Sequence, residues 1–408
     1  MERYGLIGAK LGHSFSKIIH EEIMDYEYDL IELNEEELEV FFKEKNFSAV
    51  NVTIPYKQTV IKWLDVVDEK ARKINAVNTV VNRDGKLYGY NTDYYGIVSL
   101  LNRNKVEVKD KNVLILGTGG TSNTAYAVFE DLGAKSINKV SRTKRNNSLS
   151  YEEAYELKDT QIIFNSTPSG MYPHNEDCPI DINQFPNLEA VMDAIYNPLR
   201  TNLVLMAKDR GLKAEGGLYM LVAQAVKAIE YFKDINLDVS VLDTTFNKIY
   251  KEKENIVLIG MPGCGKTTIS KKLKTAKKLI DADEEIVKNT AKTIPDIFKE
   301  VGEKGFRDIE EETIKGIAKN SSQIIATGGG VILRKNNINN LKQNGKVFYL
   351  KTPLDKLQTG NGRPLSSDRE ALEKRYAERK ELYEKYADTI IDNEFLEHSI
   401  EVINAYEN

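Results

Sequence analysis

Residues 255–269, NIVLIGMPGCGKTTI, set an apolar strand, a glycine-rich loop and the start of a helix in immediate succession. The segment Gly260-Met-Pro-Gly263-Cys264-Gly265-Lys266-Thr267 fits G-x-x-x-x-G-K-[ST] in the context that makes this pattern a phosphate-binding loop. Glycines let backbone N–H groups converge on phosphate oxygens at a helix N-terminus, Lys266 adds a point charge, and the Thr267 hydroxyl can ligate Mg²⁺. A glycine-rich turn without a ligand does not need the lysine and threonine that follow. No guanine-reading N-K-x-D and no D-x-x-G switch comes after residue 260, which argues against a GTPase.

A second strand–glycine–helix unit, NVLILGTGGTSNTAYAVF, occupies residues 112–129. Its Gly117-x-Gly119-Gly120 turn suits a dinucleotide pyrophosphate. The next strand ends in Val140-Ser141-Arg142-Thr143-Lys144-Arg145, where an NAD-binding chain places an acid for the ribose hydroxyl. A basic stretch there favours a 2′-phosphate, hence NADPH. The two units differ in glycine spacing, so they are two nucleotide-binding solutions and not a duplication.

Some 250 residues precede the phosphate loop, and 408 residues exceed what one hydrophobic core serves, so two or three domains are expected. Short β-rich runs such as YGLIG, AVNVTI and NVLILG alternate with amphipathic helical stretches, the βαβ rhythm of parallel sheets. That rhythm restarts at residue 255 after the charged run FNKIYKEKE, which places the main boundary near 250. A content of 41% hydrophobic and 29% charged residues, with no long apolar run, fits a soluble cytoplasmic protein. Cys178 and Cys264 make no disulfide framework, and four scattered histidines make no zinc site. The net charge of −5 argues against a nucleic-acid surface, leaving small molecules as partners in a monomer or homodimer.

After the phosphate loop come Asp281-Ala-Asp283, Gly302-Glu-Lys-Gly-Phe-Arg307-Asp-Ile-Glu310, Ala326-Thr-Gly328-Gly329-Gly330, Gly362-Arg363-Pro-Leu and Arg379-Lys-Glu-Leu-Tyr383. In this order the series resembles the shikimate kinases over residues 255–408, which implies a P-loop domain of the nucleoside-monophosphate-kinase type. The resemblance puts ATP on Gly260, Gly263, Cys264, Gly265, Lys266, Thr267, Thr268 and Arg363, and Mg²⁺ on Thr267 and Asp281. It puts shikimate on Asp283, Arg307, Gly328, Gly329, Gly330 and Arg379. The chemistry agrees: guanidinium forks suit a substrate carboxylate, and Asp283 can hold ring hydroxyls and take a proton. Arg363 matches a lid arginine that steadies the transferring phosphoryl group. The segment between Thr268 and Asp281 and the lid, LQTGNGRPLSSDRE, are both shorter than the family pattern.

Residues 1–248 resemble shikimate dehydrogenase. Gly12-His-Ser14-Phe-Ser16-Lys17 carries two hydroxyls for a substrate carboxylate, with Lys17 and Glu21 standing where the family has proline and asparagine. Asn51-Val-Thr53-Ile-Pro-Tyr-Lys57, Ala76-Val-Asn78-Thr79 and Gly89-Tyr-Asn91-Thr-Asp93 bring a lysine and an aspartate that together handle a proton. Asn165-Ser-Thr167-Pro-Ser-Gly-Met171 resembles the loop at the nicotinamide end; Tyr196, Gly217 and Gln224 complete the set. The resemblance thus names Ser14, Ser16, Thr53, Lys57, Asn78, Asp93, Tyr196 and Gln224 for substrate. It names Gly117, Gly119, Gly120, Ser141, Arg142, Thr143, Thr167, Met171 and Gly217 for NADP, and Lys57 and Asp93 for catalysis; the kinase resemblance names Asp283, Arg363 and Lys266 for catalysis.

The expected architecture is α/β throughout. A substrate domain spans 1–93, with helices 216–248 packing back; a Rossmann domain spans 94–215, a linker 249–254 and a kinase domain 255–408. The implied function is reduction of 3-dehydroshikimate to shikimate, then its phosphorylation to shikimate 3-phosphate. The alternative is an NAD-using quinate/shikimate dehydrogenase fused to a kinase-like sensor.

Overall fold

The computed structural model describes residues 3–12, 14–143, 148–357 and 369–407. The chain divides into two compact units, residues 1–249 and 250–408.

The first unit holds two sheets. Six strands form one of them: β1 (Tyr4–Gly8), β2 (Tyr28–Glu32), β3 (Ala49–Val52), β4 (Val66–Val67), β5 (Thr79–Arg83) and β6 (Lys86–Tyr90), in the order β2-β1-β3-β5-β6-β4. β1 pairs in parallel with β2 and β3, whereas β5 runs antiparallel to β3 and β6. The parallel rhythm read from the sequence therefore fails here, and the reason is local. Asp84 and Gly85 both have positive φ, 53° and 82°, and close a two-residue hairpin whose Asp-Gly signature is the standard one for such turns.

The second sheet is β7 (Asn112–Leu116), β8 (Ser136–Val140), β9 (Ile162–Asn165), β10 (Ala190–Asp193) and β11 (Lys213–Glu215), all parallel in the order β11-β10-β9-β7-β8. From β7 the chain leaves first to one side and then to the other, so its carboxyl end opens onto the crevice where α/β sheets bind ligands. Between the sheets' chain segments, the helices Asp93–Arg103 and Leu218–Lys233 pack closely: a Cβ on Gly96 would lie 2.6 Å from the Met220 carbonyl oxygen. The second of these helices buries eleven of its sixteen residues, Gln224 among them.

The second unit is built on β12 (Asn255–Ile259), β13 (Lys278–Asp281), β14 (Gln323–Ala326), β15 (Gly345–Lys351) and β16 (Thr389–Asp392), parallel in the order β13-β14-β12-β15-β16. Ile256, Val257, Leu258 and Ile259 are buried on both faces of the sheet, as a central parallel strand requires. Here too the chain reverses direction across the sheet at its first strand, so the phosphate loop lies at the switch point. The helix after that loop, Lys266–Lys272, has seven residues, which is where the shortened segment falls.

The stretch 249–254 is not an extended linker. The helix Ser240–Lys253 runs through it, leaving Glu254 alone before β12. Its charged, breaker-poor sequence is what a helix end needs, and that same sequence reads as a boundary by composition. Among the described residues no helix is long and apolar enough to cross a membrane.

Candidate active sites

Lys57 lies five residues beyond β3 and Asp93 opens the helix Asp93–Arg103; their side chains meet with Nζ 2.5 Å from Oδ2. Their side chains are only 13% and 9% exposed, which excludes a solvated surface lysine. The other Asp93 oxygen accepts from Asn78 Nδ2 at 2.9 Å, and Asn78 Oδ1 accepts the Thr92 N–H at 2.7 Å. Thr92 Oγ1 also reaches Gln224 Oε1 at 3.4 Å. Four expected residues, Lys57, Asn78, Asp93 and Gln224, thus converge from separate elements. A lysine held on an ionised carboxylate can give and take a proton at a hydroxyl or carbonyl placed against it.

Ser14 Oγ accepts the Ser16 N–H at 3.2 Å at the start of the helix Ser16–Ile23. Tyr196 hydrogen-bonds Ser14 and packs its ring 5.2 Å from that of Phe15, and burial raises its phenol above the ordinary range. Thr53 donates its N–H to Ile7 at 2.9 Å. The two departures from the family pattern meet each other: Lys17 Nζ lies 2.9 Å from Glu21 Oε1. Lys17 also donates to the Tyr28 carbonyl at 3.0 Å, and Glu21 accepts the Tyr28 N–H at 3.1 Å.

The helix Gly120–Asp131 begins directly after Gly117 and Gly119, with Gly119 at its N-cap. A Cβ on Gly120 would sit 3.7 Å from Lys57 Cδ, so the bare helix start abuts the lysine that pairs with Asp93. Beyond β8, Ser141 Oγ donates to the Thr143 carbonyl at 2.6 Å, while Arg142 and Thr143 are exposed. Lys144 and Arg145 lie outside the described residues. Thr167 Oγ1 donates to Asn165 Oδ1 at 2.7 Å, and Asn165 Nδ2 to Asp193 Oδ1 at 3.0 Å. Thr201 Oγ1 completes the network at 2.7 Å from Asp193 Oδ2; burial pushes the Asp193 carboxyl up to about 6. Met171 is exposed on the same loop, and Gly217 packs against the Ala194 carbonyl, 2.2 Å from where a Cβ would lie. A helix start free of side chains, with an exposed arginine just past the adjacent strand β8, fits a dinucleotide carrying an extra phosphate.

In the second unit, Gly265 takes φ +91° immediately before the helix Lys266–Lys272, a conformation that glycine adopts without strain. Gly260 and Gly263 also have positive φ. The buried Lys266 ammonium donates to the carbonyls of Gly260 at 2.8 Å and Met261 at 3.0 Å, with Cys264 Sγ at 3.5 Å. Thr267 Oγ1 donates to Asp281 Oδ2 at 2.9 Å, and Asp281 Oδ1 caps the helix Ala282–Thr290 through the Asp283 N–H. A hydroxyl facing a fixed carboxylate is a donor set suited to Mg²⁺. Thr268, next in sequence, is exposed.

Arg307 is buried and paired with Glu310, Nη1 to Oε2 at 2.7 Å, and with Glu303 at 3.3 Å. Burial raises the Glu310 carboxyl, against the pull of Arg307, and burial lowers Arg379. Arg379 Nη1 and the Tyr383 hydroxyl both donate to the Gly329 carbonyl, at 2.9 and 2.5 Å. A Cβ on Gly328 would lie 2.8 Å from Asp283 Oδ1 and 3.1 Å from Glu310 Oε1. Asp283, Arg307, Gly328, Gly329, Gly330 and Arg379 therefore lie together. The Nε groups of Arg307 and Arg379 have no hydrogen-bond partner among the described residues, which suits an anionic ligand. Arg363 lies outside the described residues.

Three residues without a sequence-derived role stand out. Glu310 holds Arg307, and its i,i+3 spacing on one helix was a legible signal. Asp193 ties together the loops after β9 and β10. Asn393 donates to the Cys264 carbonyl at 2.7 Å and to Thr352 Oγ1 at 2.8 Å, steadying the phosphate loop from the far end of the chain with no local signal.

The family model for the shikimate dehydrogenase substrate-binding domain matches residues 6–80, and that for shikimate kinase matches residues 262–405. A shikimate dehydrogenase (NADP(+)) of Clostridium beijerinckii is 41% identical over 255 residues, 58% of this chain and 94% of the relative. The chain belongs to the shikimate dehydrogenase family. This dehydrogenase continues, in its second unit, into a shikimate kinase domain. Among solved structures, shikimate dehydrogenase 1 of Peptoclostridium difficile is 36% identical with a TM-score of 0.57, covering 61% of this chain and 98% of that one. The shikimate 5-dehydrogenase of Thermus thermophilus, solved with NADP(H) and shikimate, is 28% identical with a TM-score of 0.55, covering 61% and 99%. The chain is thus an enzyme that joins a shikimate dehydrogenase to a shikimate kinase domain.

Proposed function

We propose that the first unit reduces 3-dehydroshikimate to shikimate with NADPH and that the second phosphorylates shikimate at its 3-hydroxyl with ATP. The reading rests above all on the Lys57–Asp93 pair, 2.5 Å apart and set against the glycine helix start that suits a dinucleotide. NADPH supplies the hydride and ATP the phosphoryl group. In the first unit Lys57 delivers a proton to the substrate oxygen, Asp93 orients it, Asn78 and Gln224 frame the ring hydroxyls, and Ser14, Ser16 and Tyr196 take the carboxylate. Arg142 answers the 2′-phosphate, and the loop from Thr167 to Met171, with Gly217, walls the nicotinamide end.

In the second unit Arg307 and Arg379 clamp the shikimate carboxylate, and Asp283 accepts the proton of the attacking hydroxyl. Thr267 and Asp281 would hold Mg²⁺, which would shield the phosphate oxygens, and Lys266 steadies phosphate charge. Residues 1–93 with 216–248 would form the substrate-binding part, 94–215 the dinucleotide-binding part and 255–408 the kinase, acting in the cytoplasm. One purified preparation should reduce NADP⁺ when given shikimate and should consume ATP when given shikimate. Absence of either activity from folded protein overturns that half of the reading.

A further inference from the structure

Behind Asn78 lies a row of buried side chains that no substrate can touch: Tyr28, Asn51, Thr79 and Thr92, each at most 4% exposed. The Tyr28 hydroxyl donates to Asn51 Oδ1 at 2.7 Å. Asn51 Nδ2 donates to the Asn78 carbonyl at 3.2 Å and to Thr79 Oγ1 at 3.1 Å. Thr79 Oγ1 donates to Asn78 Oδ1 at 3.1 Å, and Asn78 Nδ2 donates to Asp93 Oδ1 at 2.9 Å.

The direction of these bonds is not free. A backbone carbonyl can only accept, so the Asn78 carbonyl turns the Asn51 amide with its Nδ2 inward and its Oδ1 toward Tyr28. A backbone N–H can only donate, so the Thr92 N–H, 2.7 Å from Asn78 Oδ1, turns the Asn78 Nδ2 toward Asp93. Two main-chain groups therefore set the polarity of both amides. The donors run one way, from Tyr28 through Asn51, Thr79 and Asn78 to the carboxylate that pairs with Lys57. Bonds aligned in this sense polarise one another, and a buried gap in the row leaves an acceptor unpaired. Tyr28 is itself fixed, its ring stacked 4.0 Å from His20 and its backbone held by Lys17 and Glu21.

We propose that Tyr28 is a positioning residue for the dehydrogenase reaction, acting through Asn51, Thr79 and Asn78 to hold Asp93 as an acceptor for Lys57. The proposal rests on the dehydrogenase reading above. Removing the phenol hydroxyl leaves the buried Asn51 Oδ1 without its donor, so the amide keeps its sense but is held only through Nδ2, and the Asn78 donor to Asp93 loosens with it.

The test uses the full-length protein and shikimate-dependent reduction of NADP⁺, with NADP⁺ binding followed separately by fluorescence. The unmodified protein is measured first; no turnover there sinks the functional reading and not merely this proposal. With turnover in hand, Tyr28→Phe should lower kcat about tenfold, the worth of one net hydrogen bond. NADP⁺ affinity should stay unchanged and KM for shikimate should change little. Asn51→Leu should act in the same way, and the double variant should be no slower than Asn51→Leu alone. A Tyr28→Phe kcat within twofold of the unmodified enzyme, an additive double variant, or a loss shared equally by kcat and NADP⁺ binding would each overturn the proposal.

Discussion

Arg307 lies where a side chain on Gly330 would begin: a Cβ there would stand 2.2 Å from both terminal guanidinium nitrogens. Arg307 cannot retreat without leaving Glu310, so Gly330→Ala must displace the arginine that we assign to the shikimate carboxylate. The expected result is a rise of about tenfold or more in the kinase KM for shikimate, the worth of one displaced charge-assisted hydrogen bond. KM for ATP should change far less. Steady-state kinetics with each substrate varied in turn would check this, and equal rises in both would contradict it.

Cofactor choice turns on Arg142, which is exposed just beyond β8. A charge-assisted pair with the 2′-phosphate contributes about 1.5 to 3 kcal/mol, hence about one to two powers of ten in preference for NADP over NAD. Arg142→Ala should weaken NADPH use by that factor and leave NADH use nearly unchanged. Equal kcat/KM for the two cofactors in the unmodified enzyme would show that the basic stretch faces only solvent.

Acid sensitivity of the first unit should come from His20. It is fully buried, its Nδ1 is 2.7 Å from the Tyr26 hydroxyl, and burial lowers it to about 3 from the usual 6.5. A depressed folded value means stability that is complete above pH 6.5 and is lost as pH falls toward 3, at up to about 1.4 kcal/mol per pH unit. Asp193 acts in the opposite sense. Burial raises it to about 6, so its contribution is complete below pH 3.8 and is lost as pH rises through 6. Trp63, the single tryptophan, stacks 5.1 Å from Phe42 within the first unit and so reports that unit's unfolding. Denaturant titrations at pH 7.5, 6 and 5 should show His20→Gln losing less stability on acidification than the unmodified chain. Parallel losses would mean that His20 is protonated without cost.

Asn393 offers a test of how the phosphate loop is held. Asn393→Leu removes both the donor to the Cys264 carbonyl and the bond to Thr352, leaving buried acceptors unpaired. Kinase KM for ATP should rise about tenfold or more while the dehydrogenase is unaffected. An unchanged KM for ATP would show that the loop keeps its shape without this amide.

These sites were legible in the sequence to different degrees, for physical reasons. The phosphate loop was plain because strand, glycines, Lys266 and Thr267 fall within thirteen residues, 255–267, in a pattern suited to one ligand. Lys57 and Asp93 are 36 residues apart and were named through family resemblance; nothing local says that their side chains meet. The hairpin at Asp84-Gly85 carried a local signal that the parallel rhythm masked. Asn393 carries none, because its partners Cys264 and Thr352 come near only when β12, β15 and β16 lie side by side. Helix and boundary share a charged composition at 249–254, and composition alone could not separate them.

The two chemistries should be independent, since the proposed reading gives each unit its own set of ligand-binding and proton-handling residues. The most direct measurement assays both activities in Lys57→Ala and Lys266→Ala variants of the full-length protein, with folding checked by circular dichroism. Lys57→Ala should lose dehydrogenation by about two to four powers of ten and keep its kinase rate, and Lys266→Ala should do the reverse. If either substitution, in a folded protein, disabled both reactions, the account of two separate active sites would be contradicted.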